Sequence, residues 1–425
     1  MSHIAGSDRS DKKIYLDYAA FTPVDEEVLK GMLPYFDVSY TNASSLHESG
    51  RRSRQIIEKT RSDIAQILNC NSDEIIFTSG GTESDNLAIL GVAHANRAYG
   101  NHIIVSAIEH KAVMESCEQL KKEGFEISYA PVDKEGMVDV EKLVSLITPQ
   151  TILISVMYVN NEIGTVQPIK EIGKIIAESR KQKAESGNTH KENSQSEFSN
   201  CQPPSADYPV FHIDACQAGN LFSLNVEKLG VDLMSINSSK IYGPNGIGLL
   251  YKKSGIKIEP IIVGGDQENN LRSGTENVPN IVGFSQAILK AQQNKKEESK
   301  RLKNLQNYFI EELKNSIPNI SFIVKEKYRS PAITHINIPN IEGESTLLKL
   351  DYLGVEVSTG SACSSHDLKP SHVLLAVGLD LKLIHGSLRF SFGKYTTKKE
   401  LDYVLKVFPK IVEELNQMSA LTITI

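Results

Sequence analysis

Lys240 follows the apolar run Leu233–Ile236 and precedes a Gly/Pro-rich stretch, Gly243-Pro244-Asn245-Gly246. A lysine at the end of a buried strand, partly desolvated, can present a neutral amine to a carbonyl group and form a Schiff base. Alone, a lysine reads first as a solvated surface residue. Asp214 closes an earlier apolar run in His212-Ile213-Asp214-Ala215-Cys216-Gln217. A carboxylate at such a strand end either caps the next helix or meets a cationic partner, such as a protonated pyridinium nitrogen. Earlier still, Ser79-Gly80-Gly81-Thr82-Glu83-Ser84 follows Ile75–Thr78 and opens a helical pattern. It is either an anion cup at a helix N-terminus or a tight strand-to-helix turn with Thr82 as N-cap. Cup, carboxylate and lysine, in that order and each at a strand end, together suit a phosphorylated pyridine aldehyde used as an electron sink.

Two further groups suit a substrate. Cys363 lies in Ser358-Thr359-Gly360-Ser361-Ala362-Cys363-Ser364-Ser365-His366, a run too small and polar to form core. It is either an accessible nucleophile able to visit a site and leave it, or an incidental surface thiol. A free thiol is only on the order of 3–5 % thiolate at neutral pH, a fraction that His366 could raise. In Ser387-Leu388-Arg389-Phe390-Ser391-Phe392 the strand period sets Arg389 on the face opposite Leu388 and Phe390. Its forked guanidinium suits a substrate carboxylate, or an ion pair with Asp or Glu.

The elements that position these groups alternate. From about Glu74 to Tyr251, β-branched runs (75–78, 103–105, 152–156, 210–213, 233–236) interleave with helical stretches (83–97, 111–123, 168–180). This predicts an α/β fold with a mostly parallel central sheet covered by helices. Lys183 to Asp207 breaks the rhythm: polar, with adjacent prolines, it reads as a mobile surface insertion. A polar helix is expected over 278–316. After it the pattern becomes α+β, with strands at 333–338, 355–357 and 388–392 and helices at 345–353, 371–377 and 398–415. The expected division is a large domain over 24–290, and a smaller domain from 1–23 and 291–425 that carries the Cys363 loop.

Composition narrows the function classes. A net charge of −6 and a pI near 6.0 give no bulk basic field for nucleic acid. No apolar run approaches the roughly 18 residues of a membrane span. Met1 to Lys13 is polar, with neither a secretory nor a transit pattern, so a cytoplasmic location is expected. The five cysteines, Cys70, Cys117, Cys201, Cys216 and Cys363, include no C-x-x-C pair. That opposes a disulfide framework and a zinc site, and no metal is expected. Apart from Cys363 they read as small buried residues, or as surface for Cys201.

The concurrence of motifs along nearly the whole chain resembles the cysteine desulfurases of the iron–sulfur cluster assembly group, within the fold-type I pyridoxal-phosphate enzymes (class V aminotransferases). They are Tyr15–Ala20, Phe77–Asn86, Glu109-His110-Lys111, Val159–Gly164, the Asp214 and Lys240 segments, Leu271–Thr275, Ser361–Ser365 and Arg389–Thr397. The resemblance implies pyridoxal 5'-phosphate tethered to Lys240, with His110 stacked on its ring and assisting proton transfer. Asp214 would pair with the ring nitrogen and Gln217 with the phenolate oxygen. Gly81 and Thr82 would hold the phosphate, with Thr275 reaching that of a partner subunit in a homodimer. Asn161 and Arg389 would hold the carboxylate of L-cysteine. Cys363 would take the sulfur as a persulfide, release L-alanine, and pass the sulfur to an acceptor protein such as an iron–sulfur scaffold.

The family usually has Ser-x-His-Lys at the cofactor lysine. Here the stretch is Asn237-Ser238-Ser239-Lys240, so Asn237 and Ser239 replace two phosphate-binding residues. Both still donate hydrogen bonds, but an imidazole is lost, which predicts weaker cofactor retention. The insertion and the apolar terminus Leu421–Ile425 are also atypical, and the C-terminal region is where family members dock a scaffold. Alternative readings are a selenocysteine lyase, or a sulfur-relay protein with weak turnover until a partner activates it. An aminotransferase is disfavoured because it has no need of the Cys363 loop.

Overall fold

The computed structural model describes residues 13–187, 208–359 and 370–418. The strands are β1 (Ile14–Tyr15), β2 (Ile75–Thr78), β3 (His102–Ser106), β4 (Glu126–Ala130), β5 (Thr151–Ser155) and β6 (Val210–Asp214). They continue with β7 (Leu233–Asn237), β8 (Gly248–Lys252), β9 (Ser321–Phe322), β10 (Ile333–Asn337), β11 (Val355–Glu356) and β12 (Ser387–Ser391). The α-helices are α1 (Glu26–Met32), α2 (Glu48–Leu68), α3 (Gly81–Asn96), α4 (Lys111–Lys122), α5 (Val140–Ser145) and α6 (Ile169–Gly187). After them come α7 (Val226–Leu229), α8 (Val278–Ser316), α9 (Gly343–Tyr352), α10 (His372–Ala376), α11 (Leu381–Ile384) and α12 (Lys398–Met418).

Seven strands form the main sheet, in the order β2-β8-β7-β6-β5-β3-β4. The strands β3, β5 and β6 are buried at every residue, as strands covered on both faces must be, which is why they read as unbroken apolar runs. Among the described strands of this sheet, β8 runs opposite to the other six. The cause lies in the ten residues Ser238–Ile247 between β7 and β8. A parallel return needs a crossover of a dozen or more residues, so this Gly/Pro-rich stretch, which carries Lys240, turns the chain straight back.

Two small sheets, β12-β10-β9 and β1-β11, share a second hydrophobic cluster. Phe309, Phe390 and Phe408 lie at its centre, with ring centroids 5.2 and 5.5 Å apart. Helix α8, with 39 residues and therefore about 58 Å long, joins the clusters. Ile281, Phe284 and Ile288 enter the main core, and Leu302, Phe309 and Leu313 enter the second.

Two local readings are corrected. Helix α6 continues to Gly187, past the expected start of the insertion at Lys183, because Lys183, Ala184 and Glu185 are good helix formers. The N-cap of α3 is Gly80 at φ +155°, not Thr82, because the chain turns there through a conformation that favours glycine. The rest of the insertion, 188–207, and the terminus 419–425 lie outside the described residues. No described helix is long and apolar enough to cross a membrane.

Candidate active site

Asp214 ends β6 and Asn237 ends the adjacent parallel strand β7, so the carboxylate and the Lys240 turn emerge side by side at the carboxyl edge of the sheet. The N-terminus of α3 meets them there. A Cβ built on Gly81 would sit 2.7 Å from Cys216 Sγ and 3.4 Å from Asn237 Cβ. Only a glycine lets the first turn of α3, with its N–H groups lacking intrahelical partners, come this close. Asn237 Oδ1 accepts hydrogen bonds from Ser239 N at 3.2 Å and Ser239 Oγ at 3.1 Å, so the two substituted residues brace each other. That leaves the Asn237 amide nitrogen on the Gly81 side, 3.6 Å from the position a Cβ there would take.

Asp214 is 6 % exposed, and its Oδ1 accepts from Cys216 N at 2.9 Å. Lys240 donates through Nζ to the carbonyl of Ala19 at 3.0 Å and to that of Ala20. Gln217 Nε2 donates to the same Ala19 oxygen at 2.8 Å. Thus the segment following β1, whose part no composition signal reveals, links the lysine to the residue expected beside a phenolate. Thr82 and Thr275 are exposed. Glu83 joins their two stretches, accepting from Ser79 N at 2.8 Å and from Arg272 Nε at 2.9 Å.

His110 is the N-cap of α4: its Nδ1 accepts from Ala112 N at 3.1 Å. A nitrogen that accepts carries no proton, so the neutral ring holds its proton on Nε2. Arg389 is 2 % exposed and donates through Nη1 to the Asn161 carbonyl at 2.8 Å and through Nη2 to Asp17 Oδ1 at 2.7 Å. Of the two readings of Arg389 the ion pair with an acidic residue is present, and its Nε is buried without a hydrogen-bond partner among the described residues. Cys363 and His366 lie outside the described residues.

Residues given no separate role on sequence grounds form a buried acidic floor. Asp85 and Glu109 are each at most 1 % exposed. Burial, reinforced by Asp214, raises the Asp85 carboxyl well above the usual range. Burial pushes Glu109 up to about 8. Between the strands His212 is fully buried, held by Ser155 at 2.8 Å and Ser235 at 3.0 Å, and burial lowers it to about 4. Their one signal in the sequence is position: Asp85 interrupts the apolar face of α3, and Glu109 precedes His110. Among the described thiols, burial pushes Cys70 and Cys117 up to about 12 and raises Cys216, so none of the three is poised as a thiolate.

This donor set fits pyridoxal 5'-phosphate: a glycine-lined helix N-terminus for phosphate, a buried carboxylate for a ring nitrogen and an amine on the turn after the neighbouring strand. A family model described as aminotransferase class-V matches residues 14–183 and 206–404. A cysteine desulfurase IscS of Dictyoglomus turgidum is 46 % identical over 409 residues, covering 96 % of this chain and 96 % of that protein. A cysteine desulfurase IscS of Methanosarcina thermophila is 44 % identical over 412 residues, covering 97 % and 95 %. A solved NifS-like protein superposes with a TM-score of 0.84 at 33 % identity, covering 95 % of this chain and all of that one. The chain belongs to the class-V aminotransferase family, and within it to the cysteine desulfurases.

Proposed function

We propose that the protein converts L-cysteine to L-alanine and moves the sulfur to Cys363 as a persulfide, for iron–sulfur cluster assembly or another thiolation. The observation that carries this is the meeting of Asp214, Lys240 and the N-terminus of α3 at one edge of the sheet, with Arg389 in reach of Asn161. Relatives named cysteine desulfurase supply the substrate class.

Pyridoxal 5'-phosphate, when bound, supplies the electron sink that lets the α-carbon of cysteine lose its proton. Gly81, Thr82, Asn237 and Ser239 would hold its phosphate, joined by Thr275 of a second subunit in a homodimer. Asp214 would keep the ring nitrogen protonated, Gln217 would donate to the phenolate oxygen, and His110 would assist proton transfer. Lys240 would tether the group and move the substrate proton at Nζ. Arg389 and Asn161 orient the substrate carboxylate. The Cys363 thiolate attacks the sulfur of the substrate: an S–S bond forms, the substrate C–S bond breaks, and the carbon takes a proton. The balance is L-cysteine and Cys363–SH in, L-alanine and Cys363–S–SH out. The sulfur is oxidised and the carbon reduced, so no external oxidant is needed. A cytoplasmic site of action and the division into a 24–290 domain and a smaller one belong to the same reading.

Cys363→Ser tests it. The variant should keep the visible cofactor absorbance and the change that L-cysteine causes in it, yet release no alanine. Full turnover in that variant would remove Cys363 from the reaction. Comparing L-cysteine with L-selenocysteine separates the lyase reading, which the relatives do not favour. Alanine release restored only by an added scaffold protein would favour the relay reading.

A further inference from the structure

We propose that Ser371, His372 and Glu162 are positioning residues for the sulfur hand-over, fastening the chain downstream of Cys363 to the backbone stretches that carry Asn161 and His110. This deepens the reading of Cys363 as the sulfur acceptor and rests on it.

The observations concern the two stems that flank residues 360–369. Upstream, Ser358 N donates to the Arg389 carbonyl at 3.2 Å, and Arg389 N donates to the Ser358 carbonyl at 2.7 Å. That stem is therefore paired with the backbone of the substrate-orienting arginine itself. Downstream, Ser371 Oγ donates to Glu162 Oε2 at 2.5 Å, and His372 Nε2 donates to the Glu109 carbonyl at 2.9 Å. Glu162 is the neighbour of Asn161 in the chain, and Glu109 is the neighbour of His110. Helix α10 then drives Val373 and Leu374 into a separate hydrophobic cluster with Ile108, Met157 and Ile163, from the same two stretches.

Chain length turns these anchors into a limit on reach. Cys363 lies five residues beyond Ser358 and eight before Ser371. At roughly 3.5 Å per extended residue it stays within about 17 Å of one stem and about 28 Å of the other. Pinning both stems beside the substrate-holding residues keeps the local concentration of the thiol high. Without the polar bonds only the non-directional packing of Val373 and Leu374 holds that stem, so the thiol is presented less often in an attacking orientation. Packing alone would have been met by Val373 and Leu374. The two polar bonds add direction, each landing one residue away from a group in the site.

Ser371 is also the N-cap of α10, accepting from Leu374 N at 3.3 Å. The test therefore includes a variant that spares the cap. Glu162→Ala, Ser371→Ala and His372→Phe are compared with Glu162→Gln and Ser371→Thr, which keep the acceptor and the hydroxyl. In the holoenzyme, the absorbance change on adding L-cysteine and its concentration dependence should match the wild type in all five. Labelling of Cys363 by 35S-cysteine in a single turnover should slow about tenfold in Glu162→Ala and Ser371→Ala. The double variant should be no slower than either, and Glu162→Gln and Ser371→Thr should recover most of the rate. Unchanged labelling in Glu162→Ala, or equal loss of labelling and of the cofactor response, would overturn the positioning role. Failure of the underlying reading looks different: label would not reside on Cys363 in the wild type.

Discussion

Arg389 Nη2 sits 2.7 Å from Asp17 Oδ1, joining two residues 372 positions apart in the chain. The guanidinium is 3 % exposed and the carboxylate 20 %, so the bond is held largely away from water. Asp17 takes one edge of the fork and the Asn161 carbonyl takes another, fixing the plane in which the remaining donors point. Arg389→Lys keeps the charge but loses the fork. We expect its KM for L-cysteine to rise about 30-fold, the equivalent of about 2 kcal/mol for a hydrogen bond to a charged group. The kcat should change far less. A fall in kcat with KM unmoved would show that Arg389 serves structure and not the substrate.

Ser239 and Asn237 stand where an imidazole and a hydroxyl are usual in the family, and here they bond each other at 3.1 Å. The brace orients the Asn237 amide but supplies no positive charge to a phosphate. Ser239→His should slow loss of pyridoxal 5'-phosphate on dialysis roughly tenfold, about 1.4 kcal/mol for one charge-assisted hydrogen bond. The readout is residual absorbance of the protein fraction against time, independent of turnover. Retention no better than wild type would mean that the Asn237–Ser239 pair already does the work of the lost ring.

Much of this arrangement was legible in the sequence, and the failures share a cause. The buried runs of β3, β5 and β6 and the full span of α8 follow from periodicity, because local pattern decides them. The pairing of Asp17 with Arg389, and the landing of Lys240 and Gln217 on the Ala19 carbonyl, depend on how the first strand pairs with β11. Two-residue strands carry no period to read. Glycine at 80 shows the converse case: its cap geometry is local, yet Thr82 is the better N-cap by residue preference alone. The need to bring the backbone against Gly248, whose Cβ would sit 2.7 Å from Gly80 Cα, overrides that preference.

Glu109 should give the protein a pH signature. Its Oε1 accepts from Ser106 Oγ at 2.5 Å and Met157 N at 2.7 Å, while Oε2 is buried without a partner among the described residues. Burial pushes the group up to about 8, against about 4.3 in an unfolded chain. Between those values the folded state keeps a proton that the unfolded state has lost. Stability from this group is therefore complete below about pH 4.3, falls as pH rises through the window, and is gone above about 8. Glu109→Gln should remove up to about 1.4 kcal/mol per pH unit from the slope of urea-unfolding stability between pH 5 and 8. Asp85, shifted the same way, should leave a residual slope of the same sign. A slope identical to wild type would show that Glu109 is ionised in the fold.

Gly81 and Cys216 offer a test of the close approach of α3 to the Asp214 turn. Gly81 has no positive φ, so Ala is allowed by the backbone at this first helical position. What forbids it is Cys216 Sγ, 2.7 Å from the added Cβ, with the next atom, Asn237 Cβ, at a tolerable 3.4 Å. Gly81→Ala alone should therefore cost about 1–3 kcal/mol by overpacking. Cys216→Ala alone should lose about 1 kcal/mol, for the cavity where the sulfur stood. Combined, the new methyl fills the space the sulfur leaves, and the double variant should be within about 1 kcal/mol of wild type. Urea denaturation of the four proteins gives the cycle, and simple additivity of the two losses would show that α3 and the Asp214 turn do not meet at this pair.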